Sequence, residues 1–258
     1  MFSRLANQWV VITGGSSGFG AAAARAFAMH KAHVILGARR TELLERVAAD
    51  SLKAGATSAH WHSLDVSQTS SVNDFADWVA KVTPRVDVLI NNAGGAHGLD
   101  TVAEGRDADW DAMIQANVMG LLRVTRALLP LMRNHPGGSI LNIGSIAGRT
   151  AYEGGSVYCA CKAAELQITR ALRLELCGTG LRVGTIDPGL AETEFSLVRF
   201  KGDVERAKKV YEGVEALTAE DVAQAMVWVA SRPPHVCIDE MLIKPTDQAA
   251  VHKVNRRV

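Results

Sequence analysis

The sequence predicts an α/β fold: one domain built as a doubly wound parallel sheet of about seven strands with helices on both faces. Two observations carry this. Short apolar runs of strand character alternate with segments of helical period along the whole 258-residue chain. Polar or glycine-bearing motifs also follow six of those runs, and in open parallel sheets ligands collect outside the carboxyl ends of the strands. No internal repeat, low-complexity run or composition break marks a second unit, so residues 1–258 are read as one domain.

Composition excludes several classes. A formal net charge of +1 with 21% charged residues gives no global signal for nucleic acid or anionic membrane. No apolar run is long enough to span a bilayer, and the N-terminus enters a strand with no signal-peptide core. The four cysteines, Cys159, Cys161, Cys177 and Cys237, are read as reduced packing residues of a cytoplasmic protein. His60 and His62 share a strand face without a third ligand, so no metal site is expected.

Trp9 to Thr13 is a buried-type strand that opens into Gly14-Gly15-Ser16-Ser17-Gly18-Phe19-Gly20 and an alanine-rich helix to about Met29. Glycines allow close backbone approach, and a helix N-terminus presents N–H groups and partial positive charge to phosphate. His33 to Ala38 is the second strand, followed by Arg39 and Arg40. A dinucleotide fold that selects NAD places a carboxylate about 20 residues beyond the glycines. Here two arginines stand there instead, and guanidinium pairs with a 2′-phosphate, so the stretch points to NADP.

Thr41 is the expected N-cap of a helix over 42–52, and His60 to Leu64 is a third strand closed by Asp65 and Val66. Asp65 meets an adenine edge or caps the helix over 67–79. Val86 to Ile90 is the fourth strand, closed by Asn91-Asn92-Ala93-Gly94, where paired asparagines can tie neighbouring loops. A long helix from Asp107 to about Arg133 follows, its apolar face interrupted by Asn117, in a structural or a catalytic role. Pro136-Gly137-Gly138 ends it, and the fifth strand runs from Ser139 to Ile143, with Ser145 just beyond.

The helix from Ser156 carries Tyr158 and Lys162 one turn apart on one face, about 6 Å along the axis. A phenol is a poor acid or base at neutral pH; a nearby ammonium favours phenolate and lets the tyrosine exchange a proton with an alcohol or carbonyl oxygen. Ser145 can hydrogen-bond the same oxygen. Leu181 to Ile186 is the sixth strand, ending in Asp187-Pro188-Gly189. Residues 190–211 are polar and long for a connection, and read as a lid over substrate. Thr218 starts a helix through Ala230, and Met241 to Lys244 is the last strand.

Thr13-Gly14-x-x-x-Gly18-x-Gly20, Asn91-Asn92-Ala93-Gly94, Asn117, Ser145, Tyr158-x-x-x-Lys162 and Pro188-Gly189 together resemble the short-chain dehydrogenase/reductase family over essentially the whole chain. The resemblance implies a seven-stranded Rossmann sheet, Tyr158 as catalytic acid/base, Ser145 orienting the substrate oxygen, Lys162 on the nicotinamide ribose, and Asn117 holding a relay water. It implies cofactor contacts from Gly14, Ser16, Ser17, Gly18, Phe19, Gly20, Arg39, Arg40, Asp65, Val66, Asn91, Ala93, Gly94, Tyr158, Lys162, Pro188, Gly189, Leu190 and Thr193. It also implies a homotetramer.

Tyr152-x-Gly154-Gly155, the stretch Glu194 to Asp203, and Leu217-Thr218-x-Glu220-Asp221 further resemble NADP-dependent 3-hydroxy acid dehydrogenases. That group acts on serine, allo-threonine, 3-hydroxyisobutyrate or 3-hydroxypropionate, and a sister group reduces sulfoacetaldehyde. Two features depart from it: the loop 188–194 is one residue shorter, and Arg149 stands where an uncharged residue is expected. A small hydroxy acid needs its charged end gripped, which nominates Arg199, with Lys201 or Arg149 as auxiliaries, beside Ser145, Tyr152 and Tyr158. The rivals are a reductase of neutral ketones or aldehydes and a non-catalytic NADP-sensing protein.

Overall fold

The computed structural model describes residues 2–133 and 137–257; Pro136, expected to end the long helix, lies outside them. Seven parallel strands form one sheet in the order β3-β2-β1-β4-β5-β6-β7. They are β1 (Trp9–Thr13), β2 (His33–Ala38), β3 (Ser58–Ser63), β4 (Val88–Asn91), β5 (Ser139–Ile143), β6 (Arg182–Pro188) and β7 (Glu240–Ile243). The chain starts in the middle, winds outward to β3, then crosses back beside β1 to lay down β4. That reversal opens a crevice between β1 and β4 at their carboxyl ends.

Val10, Val11 and Ile12 of β1 are all fully buried, as are Leu89 and Ile90 of β4, because helices cover both faces of the sheet. On one face lie α1 (Gly18–Ala28), α2 (Thr41–Ala54) and, late in the chain, a helix over Ala219–Ala230. Their core joins Ile12, Leu36, Phe27, Leu44 and Met226. On the other lie α3 (Thr69–Val82) and the longer helices described next, around Val11, Ile35, Leu89, Val124 and Leu172. Alanines at 21–24 keep α1 close to the sheet; a Cβ on Gly20 would collide with the Gly14 carbonyl.

The expected helix from Asp107 is α4 (Asp107–Met113), a π-helical turn (Ile114–Met119) and α5 (Gly120–Met132). The interruption is Asn117, whose amide donates to the Met113 and Gly95 carbonyls at 2.8 and 2.9 Å while its Oδ1 accepts from the Gly95 N–H. Such wide turns are a recognised way to re-aim backbone near functional sites. α6 (Ser156–Glu175) carries the tyrosine and lysine.

The segment 190–211, expected as a lid, holds two short helices, α7 (Phe195–Arg199) and α8 (Val204–Lys209), and α9 (Ala219–Ala230) is held by a full capping box between Thr218 and Asp221. Three expectations are corrected. Thr41 is the first helical residue rather than the cap, a position taken by Arg40 without a capping bond. Cys177 and Cys237 are exposed, not packed. A turn of 3₁₀ helix, Phe2–Leu5, precedes β1. The tail folds into an antiparallel hairpin, β8 (Gln248–Ala250) and β9 (Lys253–Val254), that sequence reading missed; strands this short leave no periodicity to find.

Candidate active site

The strand ends surround a cleft of about 860 Å³, within the usual range for ligand sites. At its floor the β1–α1 turn passes under the end of β4. Gly14 has φ +65° and a Cβ there would press on the Asn92 amide, so the left-handed turn and the close approach both require glycine. Asn92 fastens the two loops: its Nδ2 donates to the Thr13 and Gly14 carbonyls at 2.9 and 3.2 Å. Gly18, φ +51°, opens α1, whose first-turn N–H groups have no intrahelical acceptor.

At one end of the cleft Arg39 is exposed at the rim and forms no ion pair among the described residues. Arg40 is instead tied across the glycine turn, donating to Ser17 Oγ at 2.5 Å and Glu194 Oε2 at 3.0 Å. Glu194 sits below its usual carboxylate range: burial raises it, but the Ser17 and Arg40 bonds prevail. Asp65 lines the cleft with Val66, its Oδ1 accepting from the Ser67 N–H and hydroxyl at 2.9 and 2.7 Å. Ala93, Gly94, Pro188, Gly189, Leu190 and Thr193 line it further along.

At the other end stand Ser145, Tyr158 and Lys162. Ser145 is extended after β5 and its Oγ accepts from the Ala147 N–H at 3.1 Å, which leaves the hydroxyl proton available. Lys162 is buried yet lines the cleft; its ammonium donates to the Ile143 carbonyl at 2.8 Å and to Glu165 Oε2 at 2.7 Å. Burial pushes the Tyr158 phenol up, and the Lys162 ammonium and Ser145 hydroxyl pull it down without overcoming burial. The ammonium therefore acts as expected in direction, while the enclosed phenol stays protonated at neutral pH.

The segment 190–211 supplies the wall above. Phe195 packs on Tyr158 with centroids 5.5 Å apart. The Arg199 guanidinium lies 5.4 Å from the Tyr152 ring centre and 5.7 Å from that of Tyr158. Its Nε donates to the Gly98 carbonyl at 2.9 Å, but its Nη2 is buried with no hydrogen-bond partner among the described residues. An unpaired buried donor is costly, and this one borders the cleft. Tyr152 is pushed up to about 12, by burial against the pull of Arg199.

Several expected residues are placed elsewhere. Arg149 donates to Asp187 Oδ2 and Glu240 Oε2, both at 2.7 Å, so its fork is occupied by carboxylates of β6 and β7. Glu240 is held down to about 2 by Arg170 first and Arg149 second. Lys201 pairs with Asp109 at 2.9 Å on the surface and does not line the cleft. Asn91 lies behind the cleft, its Nδ2 donating to Thr125 Oγ1 and Asn142 Oδ1 at 2.9 Å. Gly20 and Asn117 are likewise off the lining, the one packing α1 on its turn and the other bracing Gly95. Sequence reading missed Tyr211 and the tail residues Val251, Val254 and Arg256, which line the cleft. It also missed Glu165; an acid inside the buried stripe of α6, one turn from Lys162, was the available signal.

Comparison with known proteins agrees with this geometry. A model of the short chain dehydrogenase family matches residues 8–203. An NADP-dependent 3-hydroxy acid dehydrogenase of Schizosaccharomyces pombe is 42% identical over 256 residues, 99% of each chain. A sulfoacetaldehyde reductase of Chromohalobacter salexigens is 43% identical over 241 residues, 93% of this chain and 94% of its own. The closed form of a serine dehydrogenase complexed with NADP⁺ superposes with a TM-score of 0.90 at 38% identity, covering 97% of this chain and 100% of the other. With a floor of glycine turns, a buried lysine one turn from a buried tyrosine, and a serine at the adjoining strand end, the chain belongs to the short-chain dehydrogenase family of oxidoreductases.

Proposed function

We propose that this oxidoreductase interconverts a small 3-hydroxy acid and its carbonyl counterpart with NADP(H), in the class of serine, allo-threonine, 3-hydroxyisobutyrate and 3-hydroxypropionate. The observation that carries the substrate class is the buried, unpaired Nη2 of Arg199 against Tyr152 and Tyr158. A carboxylate is the partner that such a donor lacks, and guanidinium binds it in a fork.

The residues present fit the cofactor. The glycine turn and the α1 N-terminus form a cradle for a pyrophosphate, and the left-handed Gly14, packed against Asn92 and Ala93, holds that turn in shape. Arg39, free of carboxylates, suits a 2′-phosphate. When bound, the cofactor supplies or accepts the hydride. In the reducing direction Tyr158 gives its proton to the substrate oxygen, Ser145 holds that oxygen by a hydrogen bond, and Lys162 steadies the phenolate left behind.

An assay of serine, allo-threonine, 3-hydroxyisobutyrate, succinic semialdehyde, sulfoacetaldehyde and a neutral ketone, each with NADP(H), tests the reading. Anionic substrates are expected to exceed the neutral ketone in kcat/KM; the reverse order overturns it. Sulfoacetaldehyde is the second reading, since a sulfonate also fits the Arg199 nitrogen and a relative bears that name. A non-catalytic NADP-sensing role predicts cofactor binding without turnover of any substrate.

Cofactor choice has its own test. Arg39→Ala is expected to weaken NADP by about 1.5–3 kcal/mol, the scale of charged hydrogen bonds, while NAD changes little. Fluorescence titration with NADPH and NADH reads both. Equal losses would assign Arg39 to structure.

The same proposal includes a cytoplasmic homotetramer. Among the described residues no helix is long and apolar enough to cross a membrane. On α6 and α5, Leu174 is 79% exposed and Leu122 41% exposed, the sort of surface a partner subunit covers. Light scattering at micromolar concentration is expected to give four subunits, and a monomer would refute it.

A further inference from the structure

The Lys162 ammonium has three donors. The fold engages two of them, one by the Ile143 carbonyl at the end of β5 and one by Glu165 Oε2 a turn along α6, at 2.8 and 2.7 Å. Ile143 and Lys162 line the cleft while Glu165 lies behind it, so these two acceptors constrain where the third donor points. Glu165 is only 3% exposed, and among the described residues its carboxylate is bonded to Lys162 rather than to Tyr158 or Ser145. A carboxylate buried beside the lysine that faces the reaction is costly to maintain unless it is paired.

We propose that Glu165 is a positioning residue of the reaction: with the Ile143 carbonyl it holds the Lys162 ammonium in place, and its charge offsets part of the ammonium's field at Tyr158, setting the pH at which the phenol exchanges its proton. Of the charged groups on neighbouring elements, Asp187 acts on this pair, while Arg199 and Asp109 stand on the Tyr158 side. Asp187 of β6, 1% exposed, adds negative charge behind it and is itself paired with Arg149, which continues to Glu240 and Arg170. Arg199 of the lid faces the Tyr158 ring. Asp109 of α4 is paired with Arg106 and Lys201 and contributes little net charge. On α6 itself stand Cys161, pushed up to about 11 by burial, and Tyr158.

The electrostatic directions agree with the geometry. Burial raises Glu165 to about 7 against the pull of Lys162, so above that pH it is a carboxylate. Burial disfavours the Lys162 ammonium, but Glu165 first, with Tyr158 and Asp187, more than restores it. At Tyr158 the contributions oppose: Lys162 lowers the phenol and Glu165 raises it. Alcohol oxidation uses phenolate as base, so its rate climbs with pH along an acidic limb set by Tyr158.

Glu165→Gln keeps size and one acceptor and removes the charge; Glu165→Met removes both and tolerates burial. Either neutral variant is expected to move the acidic limb of kcat/KM for oxidation to lower pH by about half a unit or more, about threefold in rate at a fixed pH on the limb. The assay uses whichever alcohol of the substrate panel turns over fastest, so a wrong substrate class leaves the test intact. A second reading needs no substrate: near-ultraviolet tyrosinate titration, taken as the difference between each protein and its Tyr158→Phe form, should show the same downward shift. A merely structural Glu165 would lower the melting temperature, or kcat uniformly, with limb and tyrosinate titration unmoved, and that result overturns the proposal.

Discussion

Tyr158→Phe is expected to leave a folded protein that binds NADP(H) as the parent does and turns over at least about two orders of magnitude more slowly. The ring stays in its contact with Phe195, 5.5 Å between centroids, so packing of the lid on α6 survives. What is lost is the phenolic proton beside Ser145. Both kcat and kcat/KM should fall together, the signature of an interaction made in the transition state. Activity within about threefold of the parent would remove Tyr158 from the chemistry. Burial holds the phenol above its ordinary pKa, so the parent's oxidation should gain rate with rising pH while reduction holds at neutral pH. The Tyr158→Phe variant has no such group, and its residual rate should lose that limb.

The fold and the grouping of Ser145, Tyr158 and Lys162 in one cleft were legible because local rules and tertiary demands coincide there. Buried parallel strands must be apolar on both faces, and Val10, Val11 and Ile12 are. Tyr158 and Lys162 share a face because the helix period puts them there. Reading failed where a side chain's partner is distant in sequence. Arg149 is claimed by Asp187 and Glu240, 38 and 91 residues away, and nothing near position 149 announces either. Asn91 pairs in register with Asn142 on β5, so its amide turns to its neighbour rather than to the cleft. Lys201 sits at φ +54° just after α7 and reaches Asp109 on α4. In each case the residue type was read correctly as charged or amide, and the direction of the side chain was set by the sheet order and the lid.

Arg199→Met keeps much of the side-chain length and removes the charge. It is expected to raise KM for 3-hydroxy acids about 30-fold or more, the cost of leaving a buried partner charge unpaired being roughly 2–5 kcal/mol. A neutral ketone or alcohol of similar size should change its KM far less. The asymmetry follows from how the guanidinium is held. Its Nε is spent on the Gly98 carbonyl at 2.9 Å, and the Gly98 N–H in turn donates to the Arg199 carbonyl at 2.9 Å, so the residue is anchored before any substrate arrives. The Nη2 left over is buried without a partner, beside the rings of Tyr152 and Tyr158. Anchoring one nitrogen and leaving another lowers the ordering cost of binding a carboxylate. Methionine keeps the backbone bond to Gly98 but loses the Nε bond, so some loosening of this segment is expected, and the neutral substrate measures it directly. If hydroxy acids and neutral substrates lost KM equally, Arg199 would be a brace between the lid and Gly98, and the anionic substrate class would fall with it. Arg199→Lys separates the two further: a point charge restores part of the affinity for acids but cannot form the fork, so its KM should lie between those of the parent and Arg199→Met.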